Sequence, residues 1–167
     1  MRDPVSSAPP VIRPFRPGDE TAFRRLNEEW LTRYFRVEQR DQQLFDDPVG
    51  QFIAPGGDLL MLDDADDSQT VGCCALMNLG GGTYEIAKMA VAETHQRRGY
   101  GELLLRAMID RARSLGARRL LIETSTKLPA AIALYRKLGF REEGVLARRY
   151  RIDGRYIDAM LMGLDLD

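Results

Sequence analysis

The sequence predicts an α/β fold of the α+β kind, in which helices pack on a mixed sheet. One observation is a strand, a helix and a second strand in succession, since a connection of this length implies that the two strands are parallel. The other observation is a hairpin on each side of this unit. The crossover covers residues 83–91, 101–115 and 118–124, and the hairpins cover 58–62 with 70–79 and 145–151 with 155–164.

Length and charge limit the classes of protein. A chain of 167 residues can bury roughly 70% of its unfolded surface as one domain, so its core needs neither disulfides nor metal. We expect a flexible tail at residues 1–9 and a single domain from 10 to 167. The 24 lysines and arginines are balanced by 25 acids, which argues against nucleic acid as a partner.

The sequence also predicts where the protein resides. No apolar run approaches the ~20 residues of a membrane span. The first ten residues, MRDPVSSAPP, lack the apolar segment of a secretory signal. We therefore expect a cytoplasmic protein that does not bind membranes.

The domain begins with a short strand and two helices. Val11 to Phe15 is the strand, Asp19 caps a first helix that ends near Tyr34, and a second helix covers residues 37–45. A Pro/Gly loop follows at residues 51–57.

Aromatic residues are dense where the first helix ends. Trp30, Tyr34 and Phe35 lie within six positions, which indicates either core packing or the wall of a substrate pocket. In the second interpretation, Glu38 or Asp41 would bind the amine of a substrate. The pattern alone leaves both interpretations open.

The first hairpin contains both cysteines. Cys73 and Cys74 are adjacent in a strand, where neighbouring side chains point to opposite faces and cannot form an unstrained disulfide. We interpret both as small buried residues.

The single histidine, His95, argues against most metal sites. The hairpin tip, DDADDSQ, lacks the spacing of a calcium loop, so we expect a solvated acidic turn and no metal.

The stretch EIAKMAVAETHQRRGYG, from Glu85 to Gly101, carries the clearest chemical signal. Strict alternation places Glu85, Ala87, Met89 and Val91 on one face of a strand. Two closely spaced glycines then precede a helix, whose first free N–H groups can bind a phosphate. A tight turn without a ligand is the alternative. The third glycine of a dinucleotide-binding loop and the Gly-Lys-Ser/Thr of a Walker loop are absent.

QRRGYG after EIAKMAV, followed by ALYRKLGF at residues 133–140, resembles the GNAT superfamily of acyl-CoA-dependent N-acyltransferases. The loop matches that family's pyrophosphate signature, Q/R-x-x-G-x-G/A. The resemblance implies a mixed, mostly antiparallel sheet of about six to seven strands with about four flanking helices. It also implies that the parallel pair splays apart to bind acyl-CoA.

The same resemblance implies which residues bind the donor, acetyl-CoA, without a metal. The strand backbone would bind the pantetheine arm, and the loop amides would bind the pyrophosphate. Of the two loop arginines, we expect one near phosphate and one in solvent. These positions are Met89, Ala90 and Val91 in the strand, and Gln96, Arg97, Arg98, Gly99, Tyr100, Gly101 and Glu102 in the loop.

Two catalytic candidates also follow from the resemblance. Tyr135 stands where many GNAT enzymes carry a tyrosine that protonates the leaving thiolate. Glu85 stands where some members place a general base. Each has a structural alternative, because Tyr135 could belong to a helix core and Glu85 could pair with Lys88 or an arginine.

Leu128 departs from the family pattern, since many relatives have at this position an asparagine that bonds the cofactor arm. Direct side-chain bonding is therefore unavailable here. The backbone of this segment, or Ser125 and Thr126, would have to replace it.

The acceptor is not specified by these motifs. In GNAT proteins the first two helices commonly flank the acceptor site, so Trp30, Tyr34 and Glu38 are candidate substrate-binding residues. We expect an N-acetyltransferase acting on a primary amine of a small molecule or peptide. The alternative is a noncatalytic acyl-CoA-binding sensor. The acyl-chain preference and the oligomeric state, with a homodimer among the options, do not follow from the sequence.

Overall fold

The computed structural model describes residues 8–66, 68–152 and 154–166, apart from the side chains of residues 34 and 150–152. The described residues form a seven-stranded sheet and four α-helices. The predicted tail falls largely on residues 1–7, outside this range. The strands are β1 Val11–Pro14, β2 Asp58–Asp63, β3 Thr70–Gly80, β4 Thr83–Val91, β5 Arg119–Ser125, β6 Arg141–Ile152 and β7 Arg155–Asp165; the helices are α1 Glu20–Tyr34, α2 Gln39–Asp46, α3 Tyr100–Ser114 and α4 Pro129–Lys137.

The strands lie in the order β1-β2-β3-β4-β5-β7-β6. Neighbours are antiparallel except for β4 and β5, which are parallel and joined through α3. The predicted fold class, a mostly antiparallel mixed sheet with one parallel pair, is therefore confirmed. In the described part of the chain, no helix is long and apolar enough to cross a membrane.

The two faces of the sheet carry separate hydrophobic cores. One core contains residues of α3 and α4, among them Leu105, Met108 and Tyr135, and the other contains Phe23, Leu26 and residues of α2. Cys74 belongs to the first and Cys73 to the second. Both cysteines are fully buried and unpaired by disulfide, as the alternation of a strand predicts. Burial raises the pKa of the Cys73 thiol to about 12, so it is an unreactive thiol.

The structure corrects several predicted boundaries. The predicted Pro/Gly loop at 51–57 contains the end of a helical turn, Val49–Ile53, because Phe52 is buried against the core and fixes this segment. The strand expected to start at Phe140 and the strand expected at 145–151 are one strand, β6, which starts at Arg141 because its pairing with β7 begins at Gly163. The turn Glu93–His95 is a 3-10 helix that the sequence did not predict.

The prediction that side chains alternate strictly between the two faces along β4 is wrong. The register of β3 with β4 shifts between Cys73, which faces Ala90, and Ala75, which faces Ala87. Lys88 supplies the extra residue and has a left-handed φ of 48°. The bulge therefore reverses the alternation. Glu85 opposes Met77 of the α1/α2 core, whereas Met89 and Val91 pack on the α3/α4 core.

The acidic tip between β2 and β3 is less solvated than predicted. Asp64 is only 5% exposed, and Asp63 is an ion-pair partner of Arg13 at 2.7 Å. Asp66 is exposed as expected, and Asp67 lies outside the described residues. The prediction of a purely solvated turn is therefore wrong for Asp63 and Asp64, because their carboxylates are hydrogen-bonded to neighbouring elements.

Candidate active site

The parallel strands separate in the middle of the sheet. β4 and β5, both fully described, pair from Thr83 with Arg119 to Ile86 with Ile122 and no further. Beyond Ile122, β5 continues to Ser125 while pairing with β7 on its other side. The edge of β4 from Ala87 to Val91 thus faces a gap between two strands of one sheet, where an extended ligand could add as a strand would.

The loop after β4 and the start of α3 lie at the open end of this gap. Within the described chain, the backbone amides of residues 97–102 donate no hydrogen bond; the first α3 amide with an acceptor is that of Leu103, bonded to the Gly99 carbonyl at 3.1 Å. Helix termini leave such amides unpaired, and the helix dipole adds partial positive charge there. This arrangement is suited to a phosphate or pyrophosphate.

The two glycines leave room for such a ligand. A β-carbon placed on Gly99 or Gly101 would meet no atom within 4 Å, and Gly99 has a left-handed φ of 79°. The residues present therefore fit the phosphate groups of a coenzyme A. Arg97 also has positive φ, at 64°, so two left-handed residues shape the loop.

Some predicted loop side chains have protein partners. The Gln96 side-chain amide donates to the Val91 carbonyl at 3.2 Å, and the Glu102 carboxylate pairs with Lys137 of α4 at 2.6 Å. Their side chains are therefore engaged within the fold, and since the Gln96 amide also donates to the Glu93 carbonyl at 3.4 Å, only Glu102 of the two keeps an amide without an acceptor in the described chain. Arg97 and Arg98 are exposed, and Arg98 lies close enough to Asp64 to lower its pKa.

Tyr135 lies on α4 above the strands. It is 9% exposed, its ring packs against Phe140 with centroids 6.2 Å apart, and it shares a core with Cys74 of β3. Burial raises the pKa of Tyr135 to about 12, so its hydroxyl is protonated at neutral pH.

Glu85 lies on the opposite face of the sheet, half-buried, beside a second carboxylate. Burial raises the pKa of the Glu85 carboxyl above its ordinary value, Glu123 of β5 raises it further, and Arg149 and Lys88 act against the shift. Glu123 accepts a hydrogen bond from Arg149 Nε at 2.8 Å. A neighbouring like charge disfavours the ionised form, so burial and Glu123 together make the Glu85 carboxylate a stronger base than an exposed glutamate.

The candidate acceptor-binding residues differ in how far the structure leaves their side chains available to a substrate. Trp30 is half-buried and its ring lies 5.0 Å from that of Phe35, whereas the side chain of Tyr34 lies outside the described part. Glu38 forms a capping box at the start of α2. Asp41 accepts from the Glu38 amide at 2.9 Å and pairs with Lys88. Both carboxylates therefore stabilise α2 and its contact with β4.

The segment around Leu128 offers little to replace an asparagine. Ser125 is buried, and its hydroxyl accepts a hydrogen bond from the Lys127 amide at 3.1 Å. The Thr126 hydroxyl donates to the Asp158 carbonyl at 3.3 Å. Leu128 itself precedes Pro129, the first residue of α4. The backbone amides of Thr126, Lys127 and Leu128 also donate within the fold, so the Ser125 hydroxyl proton is the donor that this segment retains for a ligand.

Sequence reasoning missed two residues of the site. Glu123 sits in an apolar strand that looked like plain core, and its place beside Glu85 depends on the β4–β5 register. Asp64 was assigned to the solvated tip, yet its carboxylate contacts His95 and Tyr100 at both ends of the loop. Motif spacing could not reveal either contact. Among the described residues, no group of three His, Cys, Asp or Glu side chains could hold a metal ion.

The chain belongs to the acetyltransferase (GNAT) family, whose sequence profile matches residues 21–140. The resemblance noted in the sequence is therefore confirmed. Among solved structures, the yncA protein of Salmonella typhimurium with its cofactor acetyl-CoA superposes with a TM-score of 0.81 at 23% identity, over 96% of this chain and 95% of that one. At that identity the likeness establishes the fold.

Two relatives match about half of this chain. The N-alpha-acetyltransferase RimI of Mycobacterium tuberculosis is 40% identical over 82 residues, 49% of each chain. The [ribosomal protein bS18]-alanine N-acetyltransferase of Escherichia coli K12 is 39% identical over 79 residues, 47% of this chain and 53% of that protein. The chain thus spans about half the length of the relatives that it matches.

Proposed function

We propose that this chain is an N-acetyltransferase that moves an acetyl group from acetyl-CoA to a primary amine by direct attack in a ternary complex. The observation that carries the proposal is the divergence of β4 and β5 beside a loop whose amides, from 97 to 102, have no acceptor in the described chain. An extended thioester with a pyrophosphate at one end matches both features.

The donor would lie along the gap. The backbone of Met89, Ala90 and Val91 would bond its pantetheine arm, and the amides from Arg97 to Glu102 would hold its pyrophosphate. Acetyl-CoA supplies an activated acyl group on a thiol leaving group. The chain's task is then to orient the thioester, remove a proton from the amine and supply one to the sulfur.

Glu85 and Tyr135 divide the proton transfers between the two faces of the sheet. The amine approaches from the α1/α2 face, where Glu85 accepts its proton as the nitrogen bonds to the thioester carbon. The carbon–sulfur bond breaks, and Tyr135 donates its hydroxyl proton to the sulfur from the α3/α4 face. A separate proton acceptor and proton donor suit this reaction, because the attacking nitrogen and the departing sulfur are two different substituents of the tetrahedral carbon formed by the attack.

The acceptor is a small amine or a peptide amine. The Escherichia coli relative is named for alanine of ribosomal protein bS18, so an alanine-initiated peptide is the first acceptor to test. The side of the site that would meet it carries the two carboxylates Glu85 and Glu123. These would attract an ammonium group before it loses its proton.

The test combines binding with turnover. Isothermal titration with acetyl-CoA should show saturable binding, and release of free thiol should then be followed over a panel of peptides and small amines. A reaction without amine measures background hydrolysis. Binding without amine-dependent thiol release would favour the noncatalytic acyl-CoA sensor, and absence of binding would refute both functions.

A further inference from the structure

The phosphate-binding loop is held at both ends by one buried carboxylate. His95 precedes the loop and Tyr100 begins α3. The His95 Nε2 atom lies 3.1 Å from Asp64 Oδ2, and the Tyr100 hydroxyl donates to Asp64 Oδ1 at 3.2 Å. The carboxylate therefore connects the two ends of residues 96–99 to the tip of the β2–β3 hairpin.

The hydrogen-bonding roles in this cluster are fixed by chemistry. Burial tends to raise the pKa of the Asp64 carboxyl, but the bonds from His95 and Tyr100 outweigh it, so this pKa lies below its ordinary value. An ionised carboxylate only accepts, so Nε2 of His95 carries a hydrogen. The Thr94 hydroxyl lies 2.8 Å from Nδ1, and the rings of His95 and Tyr100 are nearly parallel at 6.4 Å.

The hairpin tip that carries Asp64 is itself well anchored. The Asp64 amide donates to the Gln69 carbonyl at 2.8 Å, and its own carbonyl accepts from the Ser68 amide at 3.0 Å. Only 5% of the residue is exposed. Both oxygens of a fixed acceptor are thus engaged, one with each end of the loop.

The loop needs such support because its backbone is strained. Arg97, a residue with a β-carbon, has φ 64°, and Gly99 has φ 79°. Left-handed conformations of non-glycine residues persist where the surroundings determine them. A loop without this support would have to be ordered by its ligand, and ordering costs affinity.

We propose that Asp64, His95 and Tyr100 form a positioning cluster that sets the loop at residues 96–99 in its phosphate-binding conformation before the donor arrives. The inference rests on the proposed function, because it assumes that the loop binds the donor's pyrophosphate. The three side chains act through the loop. Their contribution concerns the phosphate end of the donor and leaves the thioester chemistry unchanged.

Two substitutions test the cluster with a matched control. Tyr100→Phe removes only the hydroxyl, and Asp64→Asn removes the charge while keeping the shape. Tyr84→Phe is the control, since its hydroxyl lies 3.5 Å from the Leu115 carbonyl at the other end of α3. The Kd for coenzyme A and the KM and kcat with acetyl-CoA and with S-acetylpantetheine, which lacks the pyrophosphate, are measured for each protein.

We expect Tyr100→Phe and Asp64→Asn to weaken coenzyme A binding and raise the KM for acetyl-CoA about tenfold, the effect of losing one hydrogen bond to a charged group. The KM for S-acetylpantetheine and kcat should not change. In the ligand-free protein, amide hydrogen exchange at residues 97–102 should accelerate in both variants and stay normal in Tyr84→Phe.

Other outcomes separate the possible failures. Unchanged coenzyme A affinity in both variants would overturn the cluster's role, and so would equal losses with both donors, which indicate a general structural effect. If the unsubstituted protein binds coenzyme A but transfers no acetyl group, the proposed function fails while the affinity comparison still decides the cluster. If it binds no coenzyme A, both proposals fall together.

Discussion

The proposed donor side and the proposed acceptor side of the gap are built in different ways. The donor side consists mainly of backbone amides from one continuous segment, residues 97–102, with open space in front of its glycines. The acceptor side consists of charged side chains from three strands, Glu85, Glu123 and Arg149. In this proposal, the backbone amides bind the pyrophosphate that every acyl-CoA carries, whereas the side chains of the acceptor side can differ between enzymes with different acceptors.

This difference has a physical origin. Unpaired amides at a helix start are present whatever the side chains are, so a short motif suffices to make a phosphate site. A paired set of carboxylates requires strands that are distant in sequence to lie in register, because electrostatic coupling falls with distance. Substitutions on the two sides should therefore differ in kind as well as in size.

The largest effect is expected at Tyr135, the proposed general acid. Tyr135→Phe should lower kcat by roughly 10² to 10⁴, the usual contribution of a general acid, and leave the Kd for acetyl-CoA unchanged. Because the pKa of Tyr135 is raised to about 12, the unsubstituted enzyme should show no loss of this proton below about pH 10.

The control for that substitution is Tyr84→Phe, since Tyr84 is also a buried tyrosine of the same core. Steady-state kinetics and isothermal titration on both variants make the comparison. Full turnover in the Tyr135 variant would show that another group protonates the thiolate, and equal losses in both variants would assign Tyr135 to core packing alone.

The next largest effect should come from the acceptor side. Glu85→Gln should reduce kcat/KM about ten- to hundredfold at neutral pH, and the loss should shrink at high pH, where the amine is already neutral. Glu123→Gln, measured in parallel over the same pH range, shows whether the second carboxylate carries the proton instead. A loss in the Glu85 variant that is independent of pH would indicate a structural role.

The stability of the Glu85 variant gives an independent check of the environment. Since burial and Glu123 raise the pKa of Glu85 in the folded state, the folded protein binds more protons than the unfolded chain between the two pKa values. Its stability therefore falls as pH rises through that window. Glu85→Gln should unfold at a higher temperature than the unsubstituted protein at neutral pH, and this gain should disappear below the unfolded pKa.

The smallest effect should come from a single β-carbon on the donor side. Gly99→Ala and Gly116→Ala both place alanine at a left-handed φ, 79° and 86°, in open space at opposite ends of α3. Each should cost about 1–2 kcal/mol of stability. Only Gly99→Ala should also weaken coenzyme A binding, by about tenfold, because its methyl group enters the phosphate site. Similar affinities in the two variants would place the phosphate elsewhere.

Much of the fold could be predicted because its signals are local. The crossover from Thr83 to Ser125 and the final hairpin follow from periodicity and turn residues. β4 shows the limit. Its bounds were correct, but the bulge at Lys88 reverses which face Met89 and Val91 occupy. A bulge depends on the strand opposite, so no pattern within EIAKMAV reveals it.

Some features of the candidate site could likewise be predicted from the sequence, and others could not. The loop was predicted from QRRGYG, but the partners that Gln96 and Glu102 have in the fold were not. Glu38 looked available to a substrate and instead caps α2. Asp64 looked solvated because six of its neighbours are polar or small, yet it is buried against His95 and Tyr100.

The sequence by itself determined the family, the strand–helix–strand unit and the segment that offers amides to a phosphate, since these depend on residues close together in the chain. Only the tertiary structure decided where β4 and β5 part, which carboxylate lies beside Glu85, and which one supports the loop. Those features arise when segments more than thirty residues apart are brought together. Packing of the sheet selects that arrangement as a whole.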